Sequence, residues 1–107
     1  MEKINELIKN QLGHLIIKEI EFPENAMVTI TKVETTPDLK SAKVFISVLP
    51  ENMRGTALSI LTKNAVSLHQ NLNKQIKTKF TPNLKFCIDE QEIFADEVEK
   101  ILDEIKQ

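Results

Sequence analysis

One run of helical periodicity is too long for a domain of this size to hold as a straight rod. Between Met53 and Thr78 apolar residues recur every three or four positions, which is typical of an amphipathic helix: Leu58, Leu61, Ala65, Leu68, Leu72 and Ile76. A straight helix of that range would be about 39 Å long at about 1.5 Å per residue, whereas a domain of about 100 residues has a radius of gyration of about 13 Å. The helix is therefore predicted to bend between Asn64 and Ser67, where Asn and Ser side chains compete for backbone hydrogen bonds.

Shorter patterns predict the other elements. Apolar spacing predicts a helix from Glu2 to about Glu21, which ends before Pro23. MVTITKVE and SAKVFISVL are rich in β-branched residues and predict two strands, joined as an antiparallel hairpin through TTPDLK. Asn52 is the expected N-cap of the long helical run. A third strand, LKFCID, follows Pro82, and a C-terminal helix is predicted over residues 93–105.

Size and composition favour one α+β domain spanning residues 1–107. The chain is 41% hydrophobic and 28% charged, which is typical of a globular protein. Its first residues lack the continuous apolar run of a secretory signal, and no stretch approaches the roughly 18 apolar residues of a membrane span. The single cysteine, Cys87, cannot form an internal disulfide, which is consistent with a reducing compartment. We expect a cytoplasmic protein with no membrane partner.

Charge is segregated along the chain. Residues 1–51 carry a net charge of −2, residues 52–88 carry +6 without any Asp or Glu, and residues 89–107 carry −6. A basic segment without carboxylates raises the local concentration of a polyanion such as nucleic acid. The alternative is that this segment packs against the acidic tail as complementary charge.

The basic segment contains the candidate RNA-binding residues. On a helical wheel five polar side chains fall within roughly 40° of one line, opposite the apolar residues: Lys63, Ser67, Gln70, Lys74 and Lys77. Lysines among neutral hydrogen-bonding groups suit contacts with phosphate and sugar. The predicted contacts are, at the centre, Lys63, Lys74 and Lys77 and, at the margin, Arg54, Lys79 and Lys85. An ordinary solvated helix surface is the alternative.

No pattern predicts catalysis, a metal site, a cofactor or a small-molecule substrate. His14 and His69 have no metal-ligand spacing with Cys87. The chain has no phosphate-binding glycine loop, paired carboxylates or Ser-His-Asp arrangement that could be assembled. We interpret Asp38, after Pro37, as a turn residue. Most of the five phenylalanines are expected in the core, so stacking on RNA bases is not expected.

The hairpin carries the runs Val33-Glu34, Asp38-Leu39 and Ala42-Lys43-Val44-Phe45-Ile46-Ser47. These runs resemble the hairpin signature of the bacterial ribosome-binding factor A family, and the hairpin is the most specific part of the resemblance. TPNLKFCID resembles the family's strand that is entered through a proline, and EVEKILDEIK is similar to its closing helical segment. IIKEIEFPENAMVTI fits the passage from the first helix into the first strand. The resemblance covers nearly the whole chain.

The resemblance implies a KH-like (type II) domain of order α-β-β-α-α-β with a C-terminal helix, and a three-stranded mixed sheet backed by helices. The family often has Ala-x-Gly at its helix bend, whereas NAVS here has Ala65 and no glycine. The resemblance further implies a non-enzymatic assembly factor that binds the small ribosomal subunit through its 16S rRNA late in maturation, often important in the cold. We expect it to act as a monomer. The alternative is a protein-binding adaptor that uses the acidic tail or the basic face.

Overall fold

The structure, a computed structural model, describes residues 2–76 and 81–89. Its elements in chain order are α1 (Glu2–Glu19), β1 (Met27–Thr35), β2 (Ser41–Leu49), a 3-10 turn (Glu51–Met53), α2 (Arg54–Lys63), α3 (Ala65–Ile76) and β3 (Asn83–Ile88). The predicted order α-β-β-α-α-β is confirmed. The predicted C-terminal helix lies outside the described residues.

The long periodic run forms two helices that meet at Asn64, within the predicted stretch. The Asn64 N–H donates to the carbonyls of Ile60 and Leu61, each at 3.2 Å, and its side-chain amide donates to the Ile60 carbonyl at 2.8 Å. Its own carbonyl accepts the N–H of Leu68 at 2.9 Å, so one residue ends α2 and begins α3. Asn64 has a φ of −98°, which any residue can adopt, so this bend does not require a glycine.

The start of α2 differs from the prediction. Asn52 does not cap the helix, because it lies inside the 3-10 turn and Met53 occupies the N-cap position without a side-chain hydrogen bond. The turn is closed by the Met53 N–H, which donates to the carbonyl of Pro50 at 3.0 Å. The chain therefore tightens into a 3-10 turn before the α-helix begins, as helix N-termini often do.

β2 is the central strand of a mixed sheet with the order β1-β2-β3. β1 pairs with it antiparallel, which confirms the predicted hairpin, and β3 pairs with it parallel. A parallel neighbour needs a long crossover connection. α2 and α3 supply that crossover, and they therefore pack against the sheet that they connect.

The helices α1, α2 and α3 pack on one face of the sheet. Alternation along β2 places four side chains in the core at 0–1% exposure: Ala42, Val44, Ile46 and Val48. They meet buried apolar residues from the helices, namely Ile8, Leu12, Leu15, Ile16, Ala57, Leu61, Leu68 and Leu72. The intervening residues of β2 point the other way. We call that opposite side of the sheet the outer face.

A β-bulge in β1 preserves the pattern of burial. The register shifts between Ile30 and Lys32. Ile30 pairs with Ile46 and Val33 pairs with Val44, so three residues of β1 span the same distance as two residues of β2. The extra residue, Thr31, turns its hydroxyl to the carboxylate of Asp89, with 2.7 Å from Oγ1 to Oδ2. The bulge thereby returns Val33 and Thr35 to the core side, where both are buried.

The turn of the β1–β2 hairpin is held by Asp38, as interpreted from the sequence. Its Oδ1 accepts the hydroxyl of Thr36 at 2.6 Å and the N–H of Lys40 at 3.0 Å. Leu39 adopts a left-handed φ of 61°, and its N–H donates to the carbonyl of Thr36 at 2.9 Å. The hydrogen bond from Thr36, and then that from Lys40, lowers the pKa of the Asp38 carboxyl below its ordinary value.

Replacing Asp38 should destabilise the protein in a pH-dependent way. Because the folded pKa is lowered, the stabilising contribution is present above the unfolded pKa of about 3.9 and is lost as the pH falls through the folded value. The urea midpoint of Asp38→Ala should therefore lie below that of the parent at pH 6, with the gap narrowing toward pH 3. Asp38→Asn retains an acceptor oxygen and is the control, with a smaller gap. A gap for Asp38→Ala that stays constant from pH 6 to 3 would contradict this assignment.

Candidate nucleic-acid interface

α3 presents a polar face without carboxylates to the solvent. Leu68 and Leu72 are fully buried, and the side chains exposed on the opposite side are Val66, Ser67, Gln70, Asn73 and Lys74. Residues three and four positions apart lie on the same helix face, so the last turn and the first turn of α3 contribute to one surface. We use the term helix face for this exposed side of α3 together with the adjoining end of α2, which contributes Lys63.

Hydrogen bonds on both flanks of α3 fix its rotation about its own axis. On one flank, Asn71 Nδ2 donates to Glu19 Oε2 of α1 at 2.7 Å. On the other, His69 Nε2 lies 2.9 Å from the carbonyl of Thr81, so this nitrogen carries the proton and donates. His69 therefore anchors the segment before β3 and is half-buried, in line with a structural role.

Two of the predicted central contacts lie on the helix face. Lys63 ends α2 and Lys74 lies in the last turn of α3, and both side chains are exposed. Within residues 2–76 and 81–89, neither makes an ion pair. A lysine in the last turn of a helix also interacts favourably with the helix dipole, by about 0.3–1 kcal/mol, so both positions have a local stabilising role as well. Lys77 and Lys79 lie outside the described residues.

The two remaining predicted contacts do not join the helix face. Arg54 is the first residue of α2 and is partly buried, with its Nε atom shielded from solvent. Lys85 is exposed, but it lies on β3 opposite the buried Phe86 in the strand's alternation, and so on the outer face. The sheet therefore separates Lys85 from Lys63 and Lys74.

A shallow cavity of about 290 Å³ opens beside the bend. It lies between the start of α3 and the start of β3, and it is lined by Ala65, Val66, His69, Asn83 and Leu84. Among the described residues, its lining is mostly apolar and includes no charged side chain. The cavity adjoins the helix face through Val66, which is 70% exposed, so a chain crossing the bend would meet lysine, apolar surface and amide groups together.

Sequence reasoning missed residues that only the tertiary structure brings to these surfaces. Glu19 belongs to the acidic first half of the chain, yet its carboxylate contacts α3 through Asn71. Lys43 belongs to that same half, yet it is the register partner of Lys85. The alternation of β2 indicates that Lys43 points outward, but no local pattern indicates which residue of another strand lies beside it.

Two general features of the described part of the chain bear on the kind of site. None of its helices is both long and apolar enough to cross a membrane. Across those same residues, no three side chains of His, Cys, Asp or Glu are grouped as a metal site would require.

The order of elements, the mixed sheet and the bent helix pair define an α+β domain of the KH-like (type II) class. The model of the family described as Ribosome-binding factor A matches residues 1–102. The chain belongs to the ribosome-binding factor A family. A relative of that name from Desulforamulus reducens is 38% identical over 105 residues, which are 97% of this chain and 88% of the relative.

Solved structures share the fold at lower sequence identity. The crystal structure of ribosome-binding factor A from Thermus thermophilus matches with a TM-score of 0.71 and 21% identity, over 81% of this chain and 93% of that one. A homology model of the Thermus thermophilus factor, fitted into a cryo-EM map of its complex with 30S, matches with a TM-score of 0.68 and 22% identity, over 78% of this chain and 88% of that one. The predicted fold class is thus confirmed.

Proposed function

We propose that this protein binds the small ribosomal subunit through its 16S rRNA, with the helix face as the RNA-contacting surface, and assists late maturation of that RNA, including in the cold. The observation that carries the proposal is the pair of exposed lysines, Lys63 and Lys74, on either side of the Asn64 bend, on two helices whose own residues include no Asp or Glu. The protein acts as a monomer in the cytoplasm, without a cofactor and without a catalytic step.

The chemistry of the helix face suits the RNA backbone. Lys63 and Lys74 supply positive charge, and Ser67 and Gln70 supply neutral hydrogen-bonding groups for phosphate and sugar. α3 begins beside Lys63, and the first-turn N–H groups of a helix interact favourably with phosphate. Such contacts give affinity with little sequence specificity, so the shape of the RNA is the feature recognised.

Family membership supports the choice of the ribosome as the partner. The matched family is named for ribosome binding, and the Thermus thermophilus factor with the same fold has been fitted into a map of its complex with 30S. A protein without a chemical step can still assist RNA folding. It does so by binding one conformation of the RNA more tightly than another, which shifts the population toward the bound conformation.

Co-sedimentation tests the proposal directly. Purified protein is centrifuged with immature small subunits, with mature small subunits, and with 16S rRNA stripped of its proteins. We expect more protein with immature than with mature subunits, and salt-sensitive binding to the stripped RNA, because each phosphate contact contributes a slope of about −0.7 to −0.9 in log K against log salt.

The same experiment separates this proposal from a protein-binding adaptor. An adaptor would pellet with intact subunits but not with stripped 16S rRNA, and its binding would depend weakly on salt. Equal binding to mature and immature subunits would contradict the role in maturation while leaving ribosome binding in place.

A further inference from the structure

The outer face of the sheet carries its own group of lysines. Two rows of side chains cross it, set by the strand register: Glu34, Lys43 and Lys85 in the first, and Lys32, Phe45 and Cys87 in the second. An open cavity of about 410 Å³ lies over these rows, with all three lysines in its lining. Asp89 also lines the cavity.

Lys43 and Lys85 are direct neighbours on adjacent parallel strands. Their backbones are therefore about 4.8 Å apart, and both side chains are exposed on the same face. Like charges placed directly opposite each other destabilise a sheet. An anion bound between the two ammonium groups would remove that repulsion.

Within residues 2–76 and 81–89, the two carboxylates near this pair, those of Glu34 and Asp89, already have partners. Glu34 lies beside Lys43 in the register, but its Oε1 is 3.6 Å from Nζ of Lys32. Asp89 is only 6% exposed and accepts the hydroxyl of Thr31. Asp89 is also four residues beyond Lys85 on an extended strand, which is about 13 Å. Lys43 and Lys85 make no ion pair within residues 2–76 and 81–89.

The aromatic ring on this face is not an open stacking platform. Nζ of Lys32 lies 4.7 Å from the centroid of the Phe45 ring, in the position of a cation–π contact. A protein partner is also disfavoured, because the centres of protein interfaces are depleted of lysine. Phosphate is the group that two adjacent ammonium groups bind well.

We propose that Lys43 and Lys85 form a phosphate clamp on the outer face, which binds the backbone of a second RNA segment while the helix face binds the first. The proposal extends the function inferred above, on which the choice of RNA as the polyanion rests. Lys32 lines the same cavity from the next row of side chains, where it pairs with Glu34. A protein with two opposite RNA-binding faces could hold two segments of the immature RNA in a fixed relation.

Cys87 reports on occupancy of the clamp. It is the single cysteine of the chain and lines the same cavity as Lys43 and Lys85, with its Sγ 3.9 Å from the carbonyl of Val44. Burial raises the pKa of the Cys87 thiol, Lys43 and Lys85 oppose that shift, and Asp89 and Glu34 add to it. A phosphate bound at the clamp would slow alkylation of the thiol in two ways, by covering it and by offsetting the two ammonium groups.

The test measures the rate at which N-ethylmaleimide, a neutral reagent, alkylates Cys87 at pH 8 and about 50 mM salt. Each protein is compared with and without saturating 12-residue oligouridylate, with binding followed separately by fluorescence anisotropy. We expect RNA to slow alkylation of the parent protein about fivefold. Lys43→Gln/Lys85→Gln should bind RNA without this protection, whereas Lys63→Gln/Lys74→Gln should bind more weakly overall yet remain protected at saturation.

Each alternative result has a clear meaning. RNA binding by the parent protein without slower alkylation overturns the clamp but leaves the helix face intact. Protection that survives in Lys43→Gln/Lys85→Gln also overturns it. Protection by a 12-residue polyglutamate peptide but not by oligouridylate would identify a protein-binding face and reject RNA as the ligand. An absence of oligouridylate binding by the parent protein and by both variants rejects the clamp, whereas the proposed function is decided separately by the co-sedimentation with subunits and stripped 16S rRNA.

Discussion

Reversing the charges of Lys63 and Lys74 to Glu should weaken binding to 16S rRNA roughly 25- to 60-fold at about 0.1 M salt. Two lost phosphate contacts remove about 1.4–1.8 from the slope of log K against log salt. Over the tenfold range of salt from about 1 M to about 0.1 M, this change of slope corresponds to a roughly 25- to 60-fold loss of affinity. Both side chains are exposed on helices whose own residues include no Asp or Glu, so the repulsion from two new carboxylates adds to the loss. Filter binding from 50 to 300 mM salt measures both quantities.

A control with the same change in charge separates a local contact from general repulsion. Lys3→Glu/Lys40→Glu also changes the net charge of the chain from −2 to −6, but these exposed lysines lie at the start of α1 and in the hairpin turn. The control should lose only a few-fold in affinity and keep its salt slope. Equal losses in the two variants would show that the helix face does not contact RNA. Circular dichroism of both variants should match that of the parent protein.

Leu68→Ala should lower the free energy of unfolding by about 2–5 kcal/mol. Leu68 is 0% exposed, at the point where α3 packs into the common core of helices and sheet, so its removal loses transfer free energy and leaves a cavity. Since domains of this size are stable by only about 5–15 kcal/mol, this one change removes a large fraction of the total. The melting temperature should fall by at least about 10 °C.

Val66→Ala is the matched control, because it truncates an apolar side chain two residues away on the same helix. Val66 is 70% exposed, so its free energy of unfolding should stay within about 0.5 kcal/mol of the parent value. Urea denaturation monitored by circular dichroism measures both variants. Similar destabilisation by the two changes would mean that α3 is rotated from the orientation described above.

Features that depend on neighbouring residues could be predicted from the sequence. The bend at Asn64 follows from a helical run that is too long for the domain, interrupted where Asn and Ser compete for backbone hydrogen bonds. The hairpin turn follows from the local chemistry of Pro37 and Asp38. The prediction that Asn52 caps α2 was wrong, because the preference of a residue for the N-cap position does not exclude a 3-10 turn at the same place.

The candidate site was less accessible to such reasoning. A helical wheel correctly placed Lys74 on the side of α3 opposite Leu68 and Leu72, since the period of a helix is a local property. It could not show that Lys85 would face away from Lys63, because that depends on which face of the sheet the helices cover. It also could not show that Glu19 would lie beside Asn71, which depends on the packing of α1 against α3.

The sequence by itself determined the order of the elements that the structure describes, the break between α2 and α3, and the concentration of positive charge in one segment. Only the tertiary structure decided that this charge is divided between two faces, with Lys63 and Lys74 on one and Lys85 beside Lys43 on the other. The physical reason is that periodicity and turn chemistry act over a few residues, whereas strand register and helix packing join residues that are distant in the chain.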